Sequence, residues 1–156
     1  MPSFVRTNKD RTSPYSAFNF LVMFDGMEKG GFSEVSGLGF EITMAEYRNG
    51  NDKENHVRKI PNISKVSDVT LKRGIISSKD WWDWMSDVQK LGWPAQKNSV
   101  SIILNDESNE NLVAKWILYN VTPIKYTGPS LNAKGGSDVA MEELVLSAEK
   151  ITYSEG

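Results

Sequence analysis

The sequence predicts a β-rich α+β domain, and three observations carry that prediction. Apolar and polar residues alternate at period two in one segment after another, as in Phe40-Glu41-Ile42-Thr43-Met44-Ala45, the pattern of strands with one buried and one wetted face. Only one stretch, Lys79 to Leu91, has helical spacing, with Trp81, Trp84, Met85, Val88 and Leu91 forming its stripe. Clusters of Gly, Asn, Asp and Pro separate the segments and give a chain of short elements instead of βαβ repeats.

The elements follow in order. Residues 1–14 are polar, with Pro2 and Pro14 flanking a charged stretch, and read as a flexible arm before a single domain over 15–156. Phe18, Phe20, Val22 and Phe24 share one face of a strand, with Leu21 and Met23 on a partly covered other face, and Asp25-Gly26 supplies a hairpin turn. The return strand is expected through Phe32 to Val35, with Gly30 and Gly31 as a bulge or second turn. The strand from Phe40 to Arg48 is expected to bury Phe40, Ile42 and Met44 in the domain. A turn-rich loop follows it, then a strand from His56 to Ile60 closed by Pro61, and a short strand from Val69 to Lys72. The helix has a capping box at Ser77 and Asp80, a C-terminal cap at Gly92 and a stop at Pro94. Beyond it, strands are expected over Ser99–Leu104, Leu112–Tyr119, Val121–Tyr126 and Val139–Thr152. The polar loop Asn105–Asn111 and the turn-rich connection Gly128–Asp138 interrupt them.

Composition excludes several function classes. The chain has 156 residues, a formal net charge of -2 and 24% charged residues, so it carries no basic field for nucleic acid. It has no cysteine, which removes disulfides, thiolate catalysis and cysteine-ligated metals. Residues 1–16 hold Arg6, Lys9, Asp10 and Arg11 without an apolar run, so neither a signal peptide nor a membrane anchor is expected there.

No catalytic constellation emerges, and we expect no enzyme and no cofactor. His56 is the single histidine and has no nucleophile near it in sequence. The acidic loops 105–111 and 51–54 lack the order of acids, central glycine and terminal glutamate that a calcium loop needs. Ala133-Lys134-Gly135 does not fit a phosphate loop, and the small basic set Arg58, Lys59, Lys72 and Arg73 lacks interleaved exposed aromatics. The best binding feature is Trp81-Trp82-Asp83-Trp84. Trp81 and Trp84 lie on the apolar stripe while Trp82, about 100° away, sits at its margin.

Read in order, Phe18-Asn19-Phe20-Leu21-Val22, Gly31-Phe32-Ser33-Glu34-Val35-Ser36-Gly37-Leu38, Glu46-Tyr47-Arg48, Thr70-Leu71-Lys72-Arg73-Gly74, Trp81 to Trp84 and Leu131-Asn132-Ala133-Lys134 resemble the tail tube proteins of T4-type contractile phages and the inner tube subunits of phage-like contractile injection systems. The resemblance spans Tyr15 to the C-terminus. It implies a two-sheet β-sandwich or barrel-like tail tube fold with one flanking helix. It also implies hexameric rings with a continuous inner β-barrel, stacked into a hollow tube that is driven through a target envelope. The partners it implies are other copies of the chain, a sheath protein, baseplate or hub and tube-initiator proteins, a tube terminator and lumen cargo, with assembly in the bacterial cytoplasm and an end in an extracellular particle, virion tail or cell-anchored machine.

Carried onto this chain, Asn49, Gly50, Asn51, Asp52, Lys53, Glu54 and Asn55 form the inter-ring stacking loop, and Asp80, Trp82, Asp83 and Asp87 are candidates for a sheath-facing helix surface. Strand alternation makes Glu41, Thr43 and Lys72 candidates for facing the lumen. Two alternatives are weighed against this reading: a type VI secretion ring protein with the same tube fold, and a monomeric β-sandwich binding module that uses Trp82.

Overall fold

The computed structural model describes residues 13–17, 19–25, 27–29, 32–48, 50, 57–75, 80–108, 111–135 and 139–155. Ten strands and one α-helix follow in chain order: β1 (Phe20–Phe24), β2 (Met27–Lys29), β3 (Phe32–Ser36), β4 (Phe40–Tyr47), β5 (Arg58–Val66), β6 (Val69–Gly74), α1 (Asp80–Leu91), β7 (Lys97–Asn105), β8 (Leu112–Thr127), β9 (Met141–Ser147) and β10 (Lys150–Glu155). A short 3-10 turn, Trp93–Ala95, follows the helix.

Two layers face each other, and one long strand belongs to both. Strands β2, β1, β7, the first part of β8 and β10 form the first layer, while the last part of β8, β9, β6 and β3 form the second. Leu112 to Thr127 is therefore one strand where two are expected from the sequence; Asn120, at φ 54, marks the passage between layers without ending the strand. The expected strand Val139–Thr152 divides instead into β9 and β10, because its two halves pair with different parts of β8 on either side of that same corner. Neither layer closes into a barrel within one chain among the described residues.

Period two decides what the layers bury. Val22, Phe24, Val100, Ile102, Leu118 and Val121 from the first layer meet Val69, Leu71, Leu144 and Leu146 from the second, and Trp81 and Trp84 of α1 close the stack. Fully burying each such side chain contributes roughly 1.5–3 kcal/mol. Phe24 meets Trp84 edge-on at 5.8 Å, and the Trp84 indole N–H donates to the Ala95 carbonyl at 2.9 Å, so the turn after the helix is tied to the helix itself. Gly92 has φ +66 and its N–H donates to the Val88 carbonyl, the expected C-cap, but Leu91 is exposed and leaves the predicted apolar stripe one residue short.

Three further expectations are corrected. The return strand after Asp25 is Met27–Lys29, which pairs with β1, whereas Phe32–Ser36 belongs to the second layer beside β6. Pro61 does not end its strand. It lies inside β5 opposite Met44, at a register shift in a two-stranded pair, where a proline's missing donor is tolerated. Phe40, Ile42 and Met44 are not in the sandwich; they are 60%, 49% and 44% exposed.

The reason is that among the described residues β4 and β5 pair only with each other and form an arm. The arm continues the β3–β6 ladder past a bend at Gly37–Gly39 and Ser67–Asp68, where the Ser67 N–H donates to the Gly39 carbonyl. Gly37 has φ +87, and a Cβ there would lie 2.2 Å from the Asp68 carbonyl oxygen. Only glycine lets the two strands cross at this bend.

Candidate assembly surfaces

Among the described residues, the arm carries a dense set of exposed apolar side chains. Besides Phe40, Ile42 and Met44, it exposes Tyr47, Ile60 and Ile63, with Val57 exposed just before β5. An isolated hairpin is marginal in water, and scattered single apolar residues need no explanation, but six on one two-stranded element call for a cover. On the opposite face of β4, Glu41 lies across from Lys65, and Thr43 sits at the register shift; both are exposed. Of the expected stacking loop at the arm's tip, only Gly50 is described, in an exposed turn; Asn49, Asn51, Asp52, Lys53, Glu54 and Asn55 lie outside the described residues, as does His56.

The second layer has a polar outer face. Val69, Leu71 and Arg73 point into the domain, so Thr70 and Lys72 point out. The Lys72 ammonium stands 3.5 Å from the Glu34 carboxylate, with Glu143 across from it on β9. The sequence places Glu41, Thr43 and Lys72 on wetted strand faces; in the fold they occupy two neighbouring elements, the arm and β6.

Helix α1 offers a third surface. Trp82 is 58% exposed and meets the Tyr126 ring edge-on at 5.5 Å, and with Met85, Val88, Pro123 and Ile124 these rings line an open groove between helix and strand. Asp83 and Asp87 are exposed on the same helix. Asp80 is engaged elsewhere.

What holds that helix in place was not legible from sequence. Arg73 is buried on β6; its Nε donates to Glu142 Oε1 and its Nη2 to Asp80 Oδ1, each at 2.6 Å, and its guanidinium lies 4.0 Å over the Trp81 ring. The Tyr126 hydroxyl donates to Glu142 Oε2 at 2.7 Å. One arginine thus binds β9 to α1, and the tyrosine under Trp82 is fixed by the same carboxylate. Burial would lower the Arg73 pKa, but the hydrogen bonds to Asp80 and Glu142 outweigh it and hold the guanidinium above its ordinary value. The hydrogen bond to Glu142, helped by burial, pushes the Tyr126 phenol up. Both shifts are upward, so the stabilisation is complete at neutral pH and is lost only as pH rises beyond the ordinary range of each group. The one signal in the sequence is parity: Arg73 shares it with Val69 and Leu71.

Among the described residues no group of acids or histidines could hold a metal. The described residues thus form a sandwich with a flanking helix, a bare hairpin arm and charged outer strand faces. Residues 16–152 match the family model of the T4-like virus tail tube protein gp19, and the chain belongs to that family. It is a tail tube structural subunit of the contractile injection system type. In structure it is similar to a chain of the sheath–tube complex of an extracellular contractile injection system, PVC, in the extended state (26% identity, 93% of this chain and 94% of that one covered, TM-score 0.81). It is similar also to a chain of the PVC sheath/tube terminator (26%, 91% and 97%, TM-score 0.80). Hcp1 from Flavobacterium johnsoniae shares the fold more distantly (13%, 88% and 95%, TM-score 0.57), so the type VI alternative is the weaker match. No curated protein matches the chain in sequence.

Proposed function

We propose that the subunit closes with five others into a ring through its β4–β5 arm, and that rings stack into a hollow, catalytically inert tube that a sheath encloses and a target envelope receives. The observation that supports this most directly is the arm, an apolar hairpin without a cover among the described residues. Closing it between neighbours removes both its bare side chains and its open strand edges, so assembly contributes to stability by mass action. In this reading Glu41, Thr43 and Lys72 line the lumen past which cargo moves, the loop 49–55 reaches the next ring, and Trp82, Asp83 and Asp87 meet the sheath. Baseplate, initiator and terminator proteins bound the tube at its ends. The relatives come from extracellular particles, and no described helix is long and apolar enough to cross a membrane; we infer assembly in the cytoplasm and action outside the cell.

The test is direct. Purified protein is expected to give rings or hollow filaments by negative-stain microscopy. The double variant Phe40→Asp, Ile42→Asp is expected to stay monomeric with unchanged circular dichroism, because neither residue is in its own core. Deleting residues 49–55 is expected to leave rings that do not stack. Normal tubes from the double variant would refute the arm's role, and normal tube length after the deletion would refute the loop's.

A further inference from the structure

The first layer is longer than the second, and its uncovered end has a surface of its own. Along the core side of β8 burial gives out only at the end of the strand: Leu118 is 0% exposed and Ala114 4%, Trp116 between them is half-buried against the core, and Leu112 is 37% exposed. Beside them Tyr153 of β10 is 57% exposed, directly across from Trp116, with the two rings 5.4 Å apart. Leu112, Trp116 and Tyr153 have the parity of Leu118 and Ile151, which face the core. They form a strip of core face that is partly covered at Trp116 and open at Leu112 and Tyr153.

Among the described residues, a sheet face of matching character is the Phe40, Ile42 and Met44 side of the arm, backed across the hairpin by Val66 and Pro61. The arm leaves the domain beside β10 and touches it through β5, yet Phe40, Ile42 and Met44 on the arm and Leu112 and Tyr153 on the platform stay exposed, so the arm does not fold down on its own platform. Two incompletely covered, mutually complementary apolar faces that do not meet within one chain are the elements of a head-to-tail contact. Their rims also match: alternation puts Glu155 on the face with Tyr153, and Lys59 on the arm face with Met44 and Glu46.

We infer that the platform Leu112, Trp116 and Tyr153 of one copy receives the apolar face Phe40, Ile42 and Met44 of a second copy's arm. The contact would complete the sandwich with the neighbour's two strands, sheet on sheet at about 10 Å. This rests on the reading that copies assemble through the arm and adds the surface on which the arm lands. It makes β10, a strand at the margin of the fold in one chain, part of the buried wall of the assembly.

Hydroxyl-radical footprinting of the unmodified protein tests it, since Phe40, Met44, Trp116 and Tyr153 are all oxidisable. On assembly, oxidation is expected to be lost at all four together, while Leu131, 82% exposed in the subunit, serves as a reference site. The chain has no cysteine, so Ile42→Cys and Tyr153→Cys give a clean pair. Two batches of single-cysteine protein, mixed, assembled and oxidised, are expected to yield covalent dimers, and chains carrying both changes longer ladders. A pairing of Ile42→Cys with Trp82→Cys is expected to yield none. Tubes that form while Trp116 and Tyr153 remain oxidisable would overturn the inference and leave the arm's role in assembly standing. An intramolecular cross-link in the doubly substituted chain would overturn it as well, and a protein that forms no rings at all would refute both readings.

Discussion

Replacing Arg73 with alanine is expected to destabilise the subunit by about 3–5 kcal/mol, the usual result of stranding a buried charge. The Glu142 carboxylate beside it has a side chain only 8% exposed and would lose the cation that stands 2.6 Å from it. Asp80 would be released, so the first turn of α1 loosens together with the second layer. In a domain of this size that is a fall in Tm of roughly 10 °C, read by calorimetry on the monomeric subunit. The informative control is Arg73→Met with Glu142→Leu, which removes both charges and is expected to recover most of the loss, because an apolar replacement of similar volume no longer carries the desolvation cost. A single variant that loses less than about 1 kcal/mol would show that the pair is solvated after all.

Changing Gly37 to alanine is expected to abolish tubes. The left-handed backbone at φ +87 costs an alanine roughly 1–3 kcal/mol, and the added methyl meets the Asp68 carbonyl, a backbone atom that cannot rotate aside. The crossing must therefore open, and the arm that leaves it is re-aimed. A change of a few degrees at the base moves the arm's far end by ångströms, beyond what a packed interface accepts. Two comparisons isolate the cause. Gly39→Ala, with no atom within 4 Å and no positive φ, is expected to assemble normally; Gly135→Ala, at the same φ of +87 but in open space, is expected to lose a little stability and no assembly. If Gly37→Ala forms tubes as readily as Gly39→Ala, the bend does not direct the arm.

How the chain and its fold divide the information can be seen at particular residues. The strands around Val22, Leu71 and Leu144, the helix bearing Trp81 and Trp84, and its glycine cap are legible in the sequence because each depends on neighbours within one turn or one pleat. Trp82, predicted at the margin of the helical stripe, is exposed for the same local reason. Phe40, Ile42 and Met44 show where local reading stops. Their alternation is a strand's alternation, but period two says only that one face seeks cover and not which chain provides it. The partner of Phe32–Ser36 and the unbroken course of β8 through Asn120 are likewise matters of pairing between distant segments.

By itself, then, the amino-acid order determined a β-rich domain with one helix, an absence of catalytic patterning and, through its ordered blocks, a resemblance to tail tubes. The tertiary structure alone decided that Arg73 holds Glu142 and Asp80 together across three elements, that Gly37 is a crossing point, and that the apolar stripe of β4 stands outside the core of its own chain. The physical reason is range. Periodicity, capping and turn chemistry act over a few residues, whereas burial of a charge, approach of two backbones and the cover of a strand face depend on which segments arrive beside them in space.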